Sequence, residues 1–285
     1  MKKLLLIISL LSGTVPLGFT EIAMAGTVPK KTARYISLAP STTEILFSLG
    51  LDEEIVGVSL YCNYPPKTKG KEKVGTFSYP NIEKIISLKP DYIFCTGLEQ
   101  ASVVIELRRL NLNVYVSDPQ NTDGLFSSIM EIGRITGKPK EAKALIKAMQ
   151  DEIKEINLKV TAIPANKKPR VFIEIWHDPL TTAGDGSFVD ELITKAGGIN
   201  IAKDTKRAYS IFSPEEVIKR NPECIILAYM GEEGSRISLS KRFSWGNIMA
   251  VRNNRIYNDI NSDLLLRPGP RITEGLRELH ERFYP

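Results

Sequence analysis

Pro139-Lys-Glu-Ala-Lys-Ala-Leu-Ile-Lys-Ala-Met-Gln-Asp-Glu-Ile-Lys-Glu-Ile-Asn-Leu-Lys-Val160 is the stretch that decides the fold. Ala142, Leu145, Ile146, Met149, Ile153 and Ile156 recur at spacings of three and four, which predicts one long amphipathic helix. Gly137-Lys138-Pro139 opens it, with Pro139 where a missing N–H costs nothing, and roughly 22 residues at 1.5 Å each reach about 33 Å, enough to span a domain. Two similar segments flank it: Asn81-Ile-Glu-Lys-Ile-Ile-Ser-Leu-Lys-Pro-Asp-Tyr-Ile-Phe94 before and Ser213-Pro-Glu-Glu-Val-Ile-Lys-Arg-Asn-Pro-Glu-Cys-Ile-Ile226 after. Laid over each other at a constant offset, Glu83 meets Glu215, Ile85 meets Val217, Ile86 meets Ile218, Pro90 meets Pro222, Asp91 meets Glu223 and Ile93 meets Ile225. The helix joins two comparable halves.

With 285 residues, 42% hydrophobic and 25% charged, the chain has ordinary globular composition and enough length for two core-bearing lobes. Residues 1–25 combine Lys2-Lys3, an apolar run from Leu4 to Leu11 and Ala23-Met24-Ala25, the three parts of a secretory signal. The run falls short of the ~20 residues of a membrane helix, so cleavage before Gly26 and a periplasmic location are expected. No cysteine follows it to accept a lipid at a new N-terminus. The expected division is a signal peptide at 1–25, an N-terminal α/β lobe at 26–121, a helical connection at 122–165 and a C-terminal α/β lobe at 166–285.

Cys62, Cys95 and Cys224 leave at least one thiol unpaired, and their wide spacing matches no zinc pattern. A Cys62–Cys95 pair in an oxidising compartment stays open. The net charge of +5 drops by one once Lys2, Lys3 and Glu21 leave, and basic residues are scattered among acids, which speaks against nucleic acid. A monomer is expected.

In order, strands are predicted at 34–38, 55–59, 92–95 and 114–116, and helices at 42–49, 82–88, 100–110 and 122–136. Ser41-Thr42-Thr43-Glu44 reads as a capping box for the first helix, which stops at Gly50. The second half reads as strands at 170–175, 224–227 and 255–257. Its helices are one capped by Ser187 and ending near Gly197-Gly198, one capped by Ser213 with Pro214 at its first position, one over 239–249 and one over 272–283. Alternating strand and helix argues for parallel sheets covered on both faces, with a cleft between two Rossmann-like lobes lined by the loops after the strands.

The chain has no G-x-G-x-x-G, Walker, H-E-x-x-H or G-x-S-x-G sequence. His280 reads as a surface or packing residue. His177 follows a strand between Trp176 and Asp178 and reads first as a histidine hydrogen-bonded to its loop. An acid-base pair with Asp178 in a secreted hydrolase is the enzyme alternative, but adjacent residues in an extended stretch point apart and no nucleophile is evident. Tyr61, Phe77, Trp176 and Tyr209 fall in predicted loops at equivalent ends of the halves, where aromatic faces suit a large flat ligand. Arg267, between Leu266 and Pro268, is either a positive contact for that ligand or one side of a structural ion pair.

Arg34-Tyr-Ile-Ser-Leu-Ala-Pro-Ser-Thr-Thr-Glu-Ile45, Gly57-Val-Ser-Leu-Tyr-Cys-Asn-Tyr-Pro-Pro66, Asn81-Ile-Glu-Lys-Ile85, Leu88-Lys-Pro-Asp91 and Gly197-Gly-Ile-Asn200 together resemble the helical-backbone (class III) substrate-binding proteins of ABC importers. The loop Tyr61 to Pro66 and the ending Asp263-Leu-Leu-Leu-Arg-Pro-Gly-Pro-Arg271 are most similar to members that bind vitamin B12. The resemblance implies a periplasmic receptor without catalytic activity or a cofactor of its own, which captures a cobalt corrinoid and delivers it to a permease dimer in the inner membrane. Haem or a ferric siderophore is the alternative ligand. Tyr61, Phe77 and Tyr209 would hold the corrinoid, the last two standing where the family has tryptophan, and Pro40, Ser41, Trp176, His177 and Arg267 complete the candidate set. No metal site of the protein itself is expected, although His177 could reach the cobalt of a corrinoid lacking its lower base. Glu83 and Glu215 would dock to arginines of the permease.

Overall fold

The structure is a computed structural model that describes residues 32–229, 239, 242 and 244–285. The signal-peptide expectation lies outside these residues, as do positions 240, 241 and 243 of the helix expected over 239–249; the described part of that stretch holds only a single tight turn at Trp245–Asn247, and α-helix begins at Met249. The N-terminal half runs β1 (Tyr35–Ser37), α1 (Pro40–Ser48), β2 (Ile55–Val58), α2 (Ile82–Ser87), β3 (Tyr92–Cys95), α3 (Ala101–Arg109), β4 (Val114–Val116) and α4 (Thr122–Ile135). The long helix α5 (Pro139–Thr161) follows. The C-terminal half runs β5 (Arg170–Glu174), β6 (Trp176–His177), β7 (Leu180–Ala183), α6 (Phe188–Lys195), β8 (Ile199–Asn200), β9 (Tyr209–Ile211), α7 (Pro214–Arg220), β10 (Cys224–Leu227), α8 (Met249–Arg252), β11 (Ile256–Tyr257), α9 (Asp263–Leu266) and α10 (Ile272–Phe283).

Each half builds a parallel four-stranded sheet, ordered β2-β1-β3-β4 in one and β8-β5-β10-β11 in the other. Counted within each parallel sheet, both orders are second, first, third, fourth strand, so the two lobes share a topology. Strand alternation divides the side chains between layers. Tyr35, Phe94, Val171, Ile173, Cys224 and Ile226 face a core common to both lobes, whereas Ile36, Ile93 and Cys95 face an outer core of the first lobe and Phe172, Ile225 and Leu227 one of the second.

The 23-residue α5, about 34 Å long, runs through the common core with Ala142, Met149, Ile156 and Val160 buried. Its first turn is packed so closely on α4 that a Cβ on Gly133 would lie 2.5 Å from that of Ala142. Its last turn meets the second lobe, where a Cβ on Gly197 would lie 3.1 Å from both Val160 Cγ2 and the Tyr284 ring.

The sequence repeat holds down to single bonds. After α2 and α7 the chain turns through left-handed Lys89 (φ 47°) and Asn221 (φ 45°) before Pro90 and Pro222. The backbone N–H of Arg34 donates to Asp91 Oδ2 at 2.9 Å and that of Arg170 to Glu223 Oε2 at 2.9 Å. The two guanidinium groups donate to the carbonyls ending the preceding helices, Leu88 at 2.7 Å and Arg220 at 3.0 Å.

Three further expectations change. The Ser41-Thr42-Thr43-Glu44 stretch is no capping box. The helix starts at Pro40 after an uncapped Ala39, while the buried Thr42 and Thr43 hydroxyls donate to Ala39 O at 2.9 and 3.0 Å and Glu44 turns inward to arginine. Trp176 and Tyr209 are not in loops, because β6, β7 and β9 form a three-stranded antiparallel sheet added to the second lobe. Cys62, Cys95 and Cys224 are free and buried, so Cys62 and Cys95 do not pair. Cys62 instead shares hydrogen bonds with Ser59 Oγ and Thr43 Oγ1, both at 3.1 Å, and burial pushes the thiols of Cys95 and Cys224 up to about 12.

Candidate ligand cleft

All four strands of each parallel sheet point their carboxyl ends the same way, so the loops after them gather along the cleft. On the first lobe these loops are stitched by Gln100, fully buried and invisible as a functional residue in the sequence. Its side-chain N–H₂ donates to Leu38 O at 3.1 Å and Phe77 O at 2.8 Å, and its Oε1 accepts from Thr96 N at 2.9 Å. One amide thereby fixes the ends of β1 and β3 and the turn carrying Phe77. Beside it, Gly97 packs directly on Asp118, where a Cβ would lie 2.0 Å from Oδ2.

Tyr209, at the start of β9, faces this wall from the other lobe. Burial raises its phenol above the ordinary value, and the nearby carboxylates of Glu99 and Asp118 raise it further. Tyr61 and Trp176 are also half-exposed, while Phe77 is more buried. The Trp176 indole N–H donates to Asp178 O at 2.9 Å, which holds its ring against the β6–β7 turn.

His177 departs from its expectation. Its Nδ1 is buried without a hydrogen-bond partner among the described residues, and its neighbours are rings, Trp176 at 5.1 Å and Tyr229 edge-on at 5.9 Å. Beneath it lies a charged cluster that the sequence did not announce. Glu174, fully buried at the end of β5, accepts two hydrogen bonds from Arg242, at 2.7 and 2.6 Å, and one from the Tyr229 hydroxyl. The Arg242 guanidinium lies 4.6 Å from the centre of the Trp245 ring.

Arg267 takes the ion-pair alternative. Its Nη1 donates to Asn63 Oδ1 at 2.7 Å and lies 2.9 Å from Asp263 and 3.8 Å from Glu44. Arg271 binds the same buried Glu44 through two hydrogen bonds at 2.9 and 2.7 Å and stacks 3.7 Å from the Tyr64 ring. Burial drives the Glu44 carboxyl above its usual range, against the lowering pull of the hydrogen bonds and charge of Arg271 and of the Arg267 charge. This cluster ties the end of the second lobe to the Tyr61–Pro66 loop and to α1 of the first. Pro40 and Ser41 are half-buried at the start of α1, with Gly269 beside the Ser41 carbonyl.

His280 is a packing residue, its Nδ1 3.0 Å from Ala196 O. Glu83 and Glu215 are exposed in the first turns of α2 and α7, behind Asn81 and Ser213, whose side chains accept backbone N–H groups as caps. A depression of about 560 Å³ lined by Tyr115, Phe126, Met130 and Ile146 lies against α4 and α5 and holds none of these residues. Among the described residues no cluster of acidic, histidine or cysteine side chains could hold a metal, and no helix is long and apolar enough to cross a membrane.

Residues 36–261 match the family model described as periplasmic binding protein. The chain belongs to the periplasmic binding protein family. A Bacillus subtilis family relative, named an uncharacterized ABC transporter substrate-binding lipoprotein, is 35% identical over 265 residues, covering 91% of this chain and 82% of its own. The vitamin B12-binding protein of Salmonella choleraesuis is 29% identical over 247 residues, covering 86% and 88%. Among solved structures, a periplasmic haem-binding protein from Roseiflexus superposes with a TM-score of 0.78 at 27% identity, covering 89% of this chain and 98% of that one. The family is one of transporter substrate-binding proteins, not of enzymes.

Proposed function

We propose that this protein is exported through a cleaved signal peptide, captures a corrinoid between its lobes and delivers it to an ABC permease dimer without chemical change. The observation that carries this reading is the pairing of Phe77 with Tyr209. They occupy the same offset of the repeat, one on each lobe, and Tyr61 and Trp176 add two more rings at the same strand ends. Flat apolar faces on both walls suit a macrocycle, and the likeness to vitamin B12-binding proteins supports a corrinoid as that macrocycle. Pro40, Ser41 and, from within its ion pairs, Arg267 would border the ligand.

Haem or a ferric chelate is the second reading. The unpartnered Nδ1 of His177 favours it, because an imidazole not fixed by a hydrogen bond can turn to offer a nitrogen to a metal. Isothermal titration with cyanocobalamin, cobinamide and haemin tests the choice. We expect one corrinoid per chain and no haemin binding; no heat with any corrinoid beside saturable haemin binding reverses the assignment. Cobinamide bands that shift on His177→Ala would place the imidazole on cobalt, and unchanged bands would leave it structural.

Glu83 and Glu215 would dock the loaded receptor across the two permease subunits, where opposite charge speeds encounter. Glu83→Ala and Glu215→Ala should leave ligand affinity unchanged and weaken transporter association, more so together and less visibly at high salt. Normal association and uptake by the double variant would remove the role.

A further inference from the structure

The two most exposed large apolar side chains among the described residues are Tyr79, at 84%, and Ile211, at 72%. They occupy one position of the repeat. Each stands two residues before its helix cap, Asn81 or Ser213, and four before Glu83 or Glu215. A single exposed apolar residue is ordinary, but the same exposure at the same register beside the same acid in both lobes marks a surface used twice.

Neither side chain is left out by a loose backbone. Tyr79 N donates to Thr76 Oγ1 at 3.0 Å and Thr76 N to Tyr79 O at 3.2 Å, closing a turn entered through Gly75 at φ 105°. A Cβ on Gly75 would lie 2.8 Å from Tyr79 O, so this approach requires glycine. Ile211 pairs with Thr181 on the added sheet, and Phe212 N donates to Leu180 O at 2.8 Å. A closed turn in one lobe and the end of β9 in the other thus hold these apolar side chains exposed.

We propose that Tyr79 and Ile211 are paired docking knobs that seat in apolar hollows beside basic residues on the two equivalent subunits of the permease dimer. The proposal rests on the transport reading above and adds to its two acids an uncharged source of affinity. A pattern presented twice calls for a partner that offers its complement twice, which a two-fold dimer does. A second copy of this chain would set Glu83 and Glu215 against like acids, so charge favours the basic partner.

Surface plasmon resonance of the full, ligand-loaded chain on the cognate permease–ATPase complex in lipid nanodiscs tests this, with Tyr79→Ser, Ile211→Thr and the double variant. Each single change should weaken association about tenfold and the pair about a hundredfold, the scale of one and two buried side chains. The loss should persist in 1 M salt, where an effect of the acids fades. Affinity for whichever of cyanocobalamin or haemin saturates the wild type should stay within twofold. Variants that bind the complex like wild type overturn the proposal, as does a fall in ligand affinity, which would put the two residues in the cleft. A wild type that does not bind the complex removes the transport reading along with the knobs, whereas unaffected variants beside a binding wild type remove the knobs alone.

Discussion

The first lobe closes the cleft end of its central strands with a neutral amide, Gln100, and the second does so with a buried charge pair, Glu174 and Arg242. Everything below that level is shared: strand order, the left-handed turn before proline, the arginine bonded to an acid and a helix end. The scaffold tolerates little change because each of its bonds satisfies a partly buried backbone group, whereas the strand ends face the cleft and can diverge. Where β1 runs on into Leu38, β5 ends in Glu174, so the second lobe answers a strand end with charge and an extra antiparallel sheet.

Breaking the charge pair should be the largest effect. Glu174→Ala leaves Arg242 without its counter-charge and should cost about 3–5 kcal/mol in urea unfolding, while Glu174→Leu with Arg242→Met should recover most of it. If the single change costs under about 1 kcal/mol, the second lobe does not depend on its charge. Next come the matched arginines. Arg34→Ala and Arg170→Ala should each cost about 1.5 kcal/mol, since each removes a charged donor from a helix-ending carbonyl, and unequal costs would show that likeness in geometry is not likeness in energy.

The smallest effect lies at alkaline pH. Burial first, then the hydrogen bond and charge of Glu174, raise the Tyr229 phenol, so above pH 10 the unfolded chain gives up this proton before the folded one does. The stability it contributes is complete below pH 10 and is lost as pH climbs toward the folded value. Tyr229→Phe should flatten the decline by at most about 1.4 kcal/mol per pH unit, whereas Tyr35→Phe in the first lobe should flatten it less.

The long helix, both parallel sheets and the repeat were legible because periodicity, proline and caps are local signals. Tyr92–Cys95, Val114–Val116, Cys224–Leu227 and Ile272–Phe283 fall where the sequence puts them. The added sheet was not legible: Trp176–His177 is two residues long and cannot show alternation. The first helix's start was misread because Thr42 and Thr43 turn their hydroxyls back to the β1 end, which a spacing of hydroxyl and acid cannot reveal. Glu44 and Glu174 look like surface acids until their arginines arrive from 227 and 68 residues away. The aromatic set rests on residue types alone, and Trp176 and Tyr209 lie in strands rather than in the expected loops, while Gln100, a single neutral amide, gave no sign.

The two ends of α5 are keyed into different lobes, Ala142 against Gly133 and Val160 against Gly197. Half of this molecule is therefore not a module. A chain cut within α5 would carry away one end of the common core and expose the rest, so neither fragment should melt cooperatively by itself, and the two should complement each other when mixed. Gene fusions or circular permutations that respect the lobes but open this helix should fail for the same reason. New termini placed in a surface turn such as Asp185-Gly186 should be tolerated.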